Sequence, residues 1–124
     1  MNLVQIHMGL YRACLIFSLL IGLYGLWRFL RKEGVGENFW SILAAGELLY
    51  VAQGIVGAML YVTVPVRPAG WDQKHILYGI VLLITLPGGY AYMRGKDTRR
   101  EALIYGLLGF FLAGIAFRAM QTAT

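Results

Sequence analysis

The sequence predicts an all-α integral membrane protein, an antiparallel four-helix transmembrane bundle. Three observations carry that expectation. The 124 residues are 59% hydrophobic and only 14% charged, with a mean hydropathy of +0.64. A soluble domain of this size has too much surface for its volume to hide so much apolar side chain. Four apolar stretches, each near the roughly 20 residues that a bilayer core demands, run over 3–29, 39–64, 76–93 and 102–119. The connections between them are short, which favours up-down-up-down order and a single bundle over residues 1–124.

The first stretch is densest in "ACLIFSLLIGLYGLW". No Lys or Arg precedes Arg12, the apolar run is longer than a cleavable leader's, and no small-x-small site follows it, so it reads as a helix and not as a secretory signal. Its Cys14, the lone cysteine, can form no internal disulfide, and C-x-x-C-H for covalent haem attachment is absent. Cys14 reads as a small packing residue. The second stretch holds Glu47, the one acidic residue well inside a span, followed at helical spacing by Tyr50 and Gln53. An ionisable group at that depth is costly and is a functional candidate. Such a stripe could bind a quinone head or pass protons, or Glu47 could simply tie its helix to a tyrosine or to Arg28.

The third stretch opens with "GWDQKHILYG", which places His75 at the mouth of the helix, and closes with "LPGGY", where Pro87 removes a backbone donor and kinks or relaxes the packing. The fourth is rich in small residues. Trp27, Trp40 and Trp71 fall where an aromatic belt is expected.

Charge sets the orientation. Arg28, Arg31, Lys32, Arg94, Lys96, Arg99 and Arg100 occupy the first and third connections, against Arg12, Arg67, Lys74 and Arg118 on the opposite side. By the positive-inside rule the richer side is cytoplasmic, and both termini are outside. The net charge of +5 then reflects topology and lipid contact. It does not indicate nucleic-acid binding, since no soluble basic face is available to hold a duplex.

The chain also looks internally duplicated. "QIHMGLYRACLIFSLLIGLYGLWR" and "QKHILYGIVLLITLPGGYAYMR" both start with Gln-x-His and end with Gly-x-Tyr-x-x-x-Arg. The expected repeat is a helical hairpin, over 1–64 and 69–122. In such an arrangement helices one and three run the same way and stand diagonally, with His7 and His75 at one depth near the outer face. Sites in membrane bundles tend to form at repeat interfaces. Two imidazoles aimed at one point from opposite sides are what six-coordinate haem iron requires, so His7 and His75 are the expected metal ligands.

A flat macrocycle needs small neighbours. Gly54, Gly57 and Ala58 on the second helix, Gly79 on the third, and Ala113, Gly114, Ala116 and Ala119 on the fourth supply them, although membrane helices use small residues for packing everywhere. Arg118 or Arg67 would neutralise the propionates, whereas Arg12 lies about 140° around the helix from His7 and reaches for lipid headgroups. Met59 and Met120 lie at similar depth and leave His/Met ligation open, and copper is a weaker alternative.

On these histidines and small residues the chain resembles the four-helix transmembrane b-type cytochromes: the ascorbate-reducible cytochromes b, and one half of a haem A synthase. The resemblance implies a haem b electron carrier, one haem per chain, in a bacterial-type plasma membrane, with a quinone or another redox partner, as a subunit of a respiratory or photosynthetic complex. A bis-histidine iron has no open position, so it would carry electrons and not activate oxygen, which favours an electron carrier over a catalyst. Two other classes stay open. One is a cofactor-free structural subunit of a larger membrane complex. The other is a small proton-coupled transporter working through Glu47, which lies in the second helix where such transporters carry their glutamate in the first.

Overall fold

The computed structural model describes residues 2–63 and 71–122, with the backbone alone for 71–75 and for Thr122. It is all α: α1 is Leu3–Leu30, α2 Gly36–Thr63, α3 Trp71–Met93 and α4 Arg99–Thr122. Each of the last three begins about a turn before its apolar run. The reason is capping, because the first backbone N–H groups of a helix need acceptors that an apolar turn cannot offer.

Two caps are explicit. Asn2 accepts from the Gln5 N–H at 2.9 Å, and the Gln5 side chain accepts from the Asn2 N–H at 3.2 Å, which is a capping box. Gln5, one mark of the suspected repeat, is therefore spent on starting α1. At α4, in Thr-Arg-Arg-Glu, half of that arrangement is present: the Glu101 carboxylate accepts from the Thr98 N–H (3.2 Å) and also from the Thr98 hydroxyl.

The helices form a ring in chain order, with α1 diagonal to α3 and α2 diagonal to α4. The contacts are unequal. α1 packs most extensively on α4, and α2 meets α3 least. Glycine causes the first of these. A Cβ on Gly25 would lie 2.6 Å from the Gly106 Cα, and one on Gly109 would lie 2.5 Å from the Gly22 nitrogen. The two backbones touch because four positions at i, i+3 spacing carry no side chain, which is how helices gain van der Waals contact in a solvent as apolar as their own side chains.

The basic end is closed. The Val35 N–H donates to the Asp97 carbonyl at 2.9 Å, and Arg99 Nε donates to the Phe29 carbonyl at 2.8 Å. These bonds fasten the α1–α2 connection to the α3–α4 connection. A side chain at Gly34 would run into the Asp97 carbonyl. Beneath them lies an aromatic cluster drawn from all four helices. Phe39 packs on Tyr24 (centroids 5.2 Å apart) and Tyr105 (6.3 Å), and Trp40 packs edge-on to Tyr105 (5.6 Å) and Tyr90 (5.8 Å). Trp40 is thus part of the plug more than of an interfacial belt. Trp27 does lie at the surface, with Arg31 over its ring at 4.9 Å. Trp71's side chain lies outside the described residues.

All four helices are long and apolar enough to cross a bilayer. Their outward faces carry Ile16 and Leu23 on α1, Leu48 and Ile55 on α2, Ile84 on α3 and Phe111 on α4, all exposed. Large apolar side chains are stable there only in lipid. The chain is a multi-pass membrane protein. α3 runs unbroken through Pro87, which points outward, while the neighbouring Gly89 receives Leu108 of α4. The repeat's Arg marks are not equivalent: Arg28 lies inside α1 and donates to the Gly34 carbonyl at 2.7 Å, whereas Arg94 lies just past the end of α3.

Gly25→Val should therefore separate α1 from α4 and cost roughly 1–3 kcal/mol as an overpacked contact. Gly79→Ala, where nothing lies within 4 Å of the added Cβ, should leave the melting temperature in detergent nearly unchanged. Equal melting temperatures for both variants would contradict this account of the α1–α4 contact.

Candidate functional site

Where α1 and α4 close up, α2 and α3 stay apart, and the room appears at the end opposite the basic loops. A cavity of about 370 Å³ opens there, within the range of small-molecule sites. α1 lines it with His7, Tyr11 and Cys14, the i, i+4, i+7 face of a helix. α2 gives Gln53, Gly54, Gly57 and Ala58 on one face, α3 gives Tyr78, Gly79, Leu82 and Leu83, and α4 only Ala116 and Ala119.

Each small residue has a visible use. A Cβ on Gly57 would lie 3.3 Å from His7 Cε1, so glycine lets the imidazole lie flat against α2. A Cβ on Gly54 would lie 3.2 Å from a Leu83 methyl, and this is where α3 leans on α2. Nothing lies within 4 Å of the Cβ position of Gly79, which borders open space.

The cavity floor is polar and fully used. Ser18 Oγ donates to the Cys14 carbonyl at 2.7 Å and lies 2.6 Å from the Tyr50 hydroxyl. The single serine proton goes to the carbonyl, so Tyr50 donates to Ser18. Ser18 and Tyr50 are 0% and 1% exposed, so this bond joins α1 to α2 across a dry interior. Above it the wall is apolar apart from His7, the tyrosines and Gln53, whose Oε1 is buried with no hydrogen-bond partner among the described residues.

The structure sorts the residues expected from sequence. His7, Gly54, Gly57, Ala58 and Gly79 line the cavity, as do Ala116 and Ala119. Ala113 is buried but outside the lining, Gly114 and Arg118 are exposed, and Met59 faces outward at 45% exposure. α4 is rotated so that its Ala102–Gly106–Gly109–Ala113 face goes to the bundle interior, which leaves Gly114 and Arg118 on the far side. The side chain of His75 and the whole of Arg67 lie outside the described residues.

Glu47 is not in the lining. Its Oε1 is buried with no hydrogen-bond partner among the described residues. Arg28 is engaged elsewhere, with the Gly34 carbonyl and, at 3.6 Å, with Glu33, so it does not tie Glu47 down. Tyr50 and Gln53, expected in a stripe with Glu47, line the cavity without it, while Tyr11 and Ser18 escaped the sequence reading as site residues. For Tyr11 the signal was present, since it stands one turn from His7 on the same face.

Among the described residues no group of three or more His, Cys, Asp and Glu side chains gathers to hold a bare metal ion. No protein-family model, curated protein or solved structure matches the chain. The site has to be interpreted from its own geometry.

Removing the hydroxyl in Tyr50→Phe, or Ser18→Ala, should cost roughly 0.5–1.5 kcal/mol each. The double variant should cost less than the sum of the two, because both delete one bond. Strict additivity in chemical unfolding from detergent would show that the bond contributes nothing.

Proposed function

We propose that the protein is a membrane-embedded electron carrier holding one haem b between α1 and α3, near the end of the bundle where the chain termini lie. The observation that supports this best is one of register. His7 stands four and seven residues before Tyr11 and Cys14, both in the cavity lining on α1. Position 75 stands four and seven residues before Gly79 and Leu82, both in the lining on α3. The two helices are diagonal, and by helical register position 75 belongs to the same stripe of α3 as Gly79 and Leu82, as His7 belongs to that of Tyr11 and Cys14 on α1.

The described residues fit the group. An imidazole lies on the wall, Gly57 leaves room beside its ring, Gly79 borders empty space, and the remaining lining is apolar, as a flat hydrophobic macrocycle requires. When bound, haem b supplies a one-electron couple. The chain's own part is to fix His7 against α2, to exclude water with Leu82, Leu83 and Ile80, and to close the floor with the Tyr50–Ser18 bond. An iron carrying two imidazoles has no site for a substrate, which is why electron transfer is favoured over catalysis. A proton-coupled transporter gains little, because Glu47 does not line the cavity through which a cargo would pass.

The same reading sets the protein in a bacterial-type plasma membrane with the basic connections on the cytoplasmic side and both termini outside. It also provides for a quinone or other redox partner within a larger respiratory or photosynthetic assembly.

Protein purified in detergent from haem-replete cells should show a sharp α-band on dithionite reduction and one haem b per chain by pyridine haemochrome. His7→Ala and His75→Ala should each lose most of that haem while Met59→Leu keeps it. A colourless wild-type protein would sink the proposal. For the orientation, single cysteines placed at Asn2 and Lys96 in a Cys14→Ser background should react with an impermeant maleimide on intact cells at position 2 only. Labelling at position 96 alone would reverse the topology.

A further inference from the structure

Independently of the cavity, we infer that the closed end is a docking surface for anionic phospholipid headgroups, centred on Lys32 and Arg94. These two are the only non-glycine residues with positive φ among the described residues, at 60° and 56°. Both stand at the same point of the same motif. The Lys32 N–H bonds to the Phe29 carbonyl and the next N–H, of Glu33, to the Arg28 carbonyl. The Arg94 N–H bonds to the Ala91 carbonyl and the next N–H, of Gly95, to the Tyr90 carbonyl. This is the six-to-one, five-to-two pattern that ends a helix in a left-handed residue, a position that glycine fills without strain. At the ends of both α1 and α3 a cation stands there instead.

The other charges at this end divide into two sets. Arg28 is held by the Gly34 carbonyl and Glu33, and Arg31 by Glu33 at 2.9 Å. Arg99 donates to the Phe29 carbonyl and covers the Phe29 ring at 3.9 Å. Arg28 and Arg31 thus brace the α1–α2 connection internally, and Arg99 ties α4 to the end of α1. Glu101 is used in capping α4. Lys32, Arg94, Lys96 and Arg100 are exposed and form no ion pair among the described residues. Glu33 and Glu101, the sequence neighbours of Lys32 and Arg100, are engaged as described, and the remaining acidic groups at this end, Glu37 and Asp97, are exposed.

The Val35–Asp97 and Arg99–Phe29 bonds hold the two connections as one platform, so the four free cations project around the α1, α3 and α4 corners from a fixed base. They flank apolar spans, at the level where a leaflet's phosphates lie. Cations in that position attract anionic lipid over neutral lipid. A helix C-terminus also favours a positive charge through its dipole, which would explain Lys32 and Arg94 without any lipid. The experiment therefore has to separate charge used for capping from charge used for lipid.

Glycine substitution makes that separation, because Lys32→Gly and Arg94→Gly remove the charge at a position where glycine relieves backbone strain. In nanodiscs of phosphatidylcholine alone, both variants should melt at or above the wild-type temperature. With phosphatidylglycerol present, the relative association constant for the anionic lipid should fall about fivefold per cation removed, from roughly 1 kcal/mol per surface cation. Lys96→Gln should behave like the glycine variants, and high salt should abolish the preference. An unchanged preference in the Lys32→Gly/Arg94→Gly double variant would overturn the inference and leave helix capping as the role of both residues. Equal stabilisation by free inorganic phosphate in phosphatidylcholine discs would also overturn it, since the ligand would then be a soluble anion and not a lipid.

Discussion

Backbone contact between α1 and α4 is the constraint on which the rest of the bundle depends. In lipid no hydrophobic force drives helices together, and close approach is gained only where side chains are missing. Gly22 and Gly25 facing Gly106 and Gly109 supply that approach. Among the described residues no such pair of facing glycines closes the gap between α2 and α3, and the Leu83 side chain stands against Gly54. Tight contact on the α1–α4 side is matched by looser contact between α2 and α3, and the cavity lies on that looser side. The glycines that make the fold and the glycines that border the cavity are different sets with opposite effects. At Gly25 a missing side chain is filled by a neighbouring backbone, while at Gly79 it is filled by nothing.

The two ends of the bundle divide the work in a similar way. At the basic end, loop-to-loop hydrogen bonds and an aromatic cluster from all four helices hold the connections and helices together. At the other end glycine, alanine and aliphatic residues line the cavity together with His7, Gln53 and tyrosines, and the Tyr50–Ser18 bond joins α1 to α2 below it. A site built there is separated from the basic side by the cluster of Phe39, Trp40 and Tyr105.

Much of this was legible in the sequence, for identifiable reasons. Mean hydropathy and span length gave the helix count, because a bilayer imposes both. His7, Gly54, Gly57, Ala58 and Gly79 were legible as one group because depth in a membrane follows directly from distance along an apolar helix. Rotation about the helix axis was harder to read. α4 carries small residues on several faces, so Gly114 and Arg118 looked as suitable as Ala116 and Ala119, and only the contact with α1 shows which face turns inward. Gln5, read in the sequence as a mark of the hairpin repeat, has a local use as well, since its side chain closes a capping box with Asn2. The Tyr50–Ser18 bond joins residues on separate helices, and nothing local in the sequence announces such a pair.

A haem held between α1 and α3, as proposed, requires two imidazoles to meet in the cavity that α1, α2 and α3 line. Electron paramagnetic resonance of the oxidised, haem-loaded protein at low temperature tests this most directly, because the spectrum reports the axial ligands of the iron itself. The expected result is a low-spin ferric signal of the two-imidazole type in the wild type, converted to high spin when either His7 or His75 is replaced by alanine. A high-spin signal in the wild type, or a low-spin signal that survives loss of His75, would contradict the convergence of α1 and α3 on one iron.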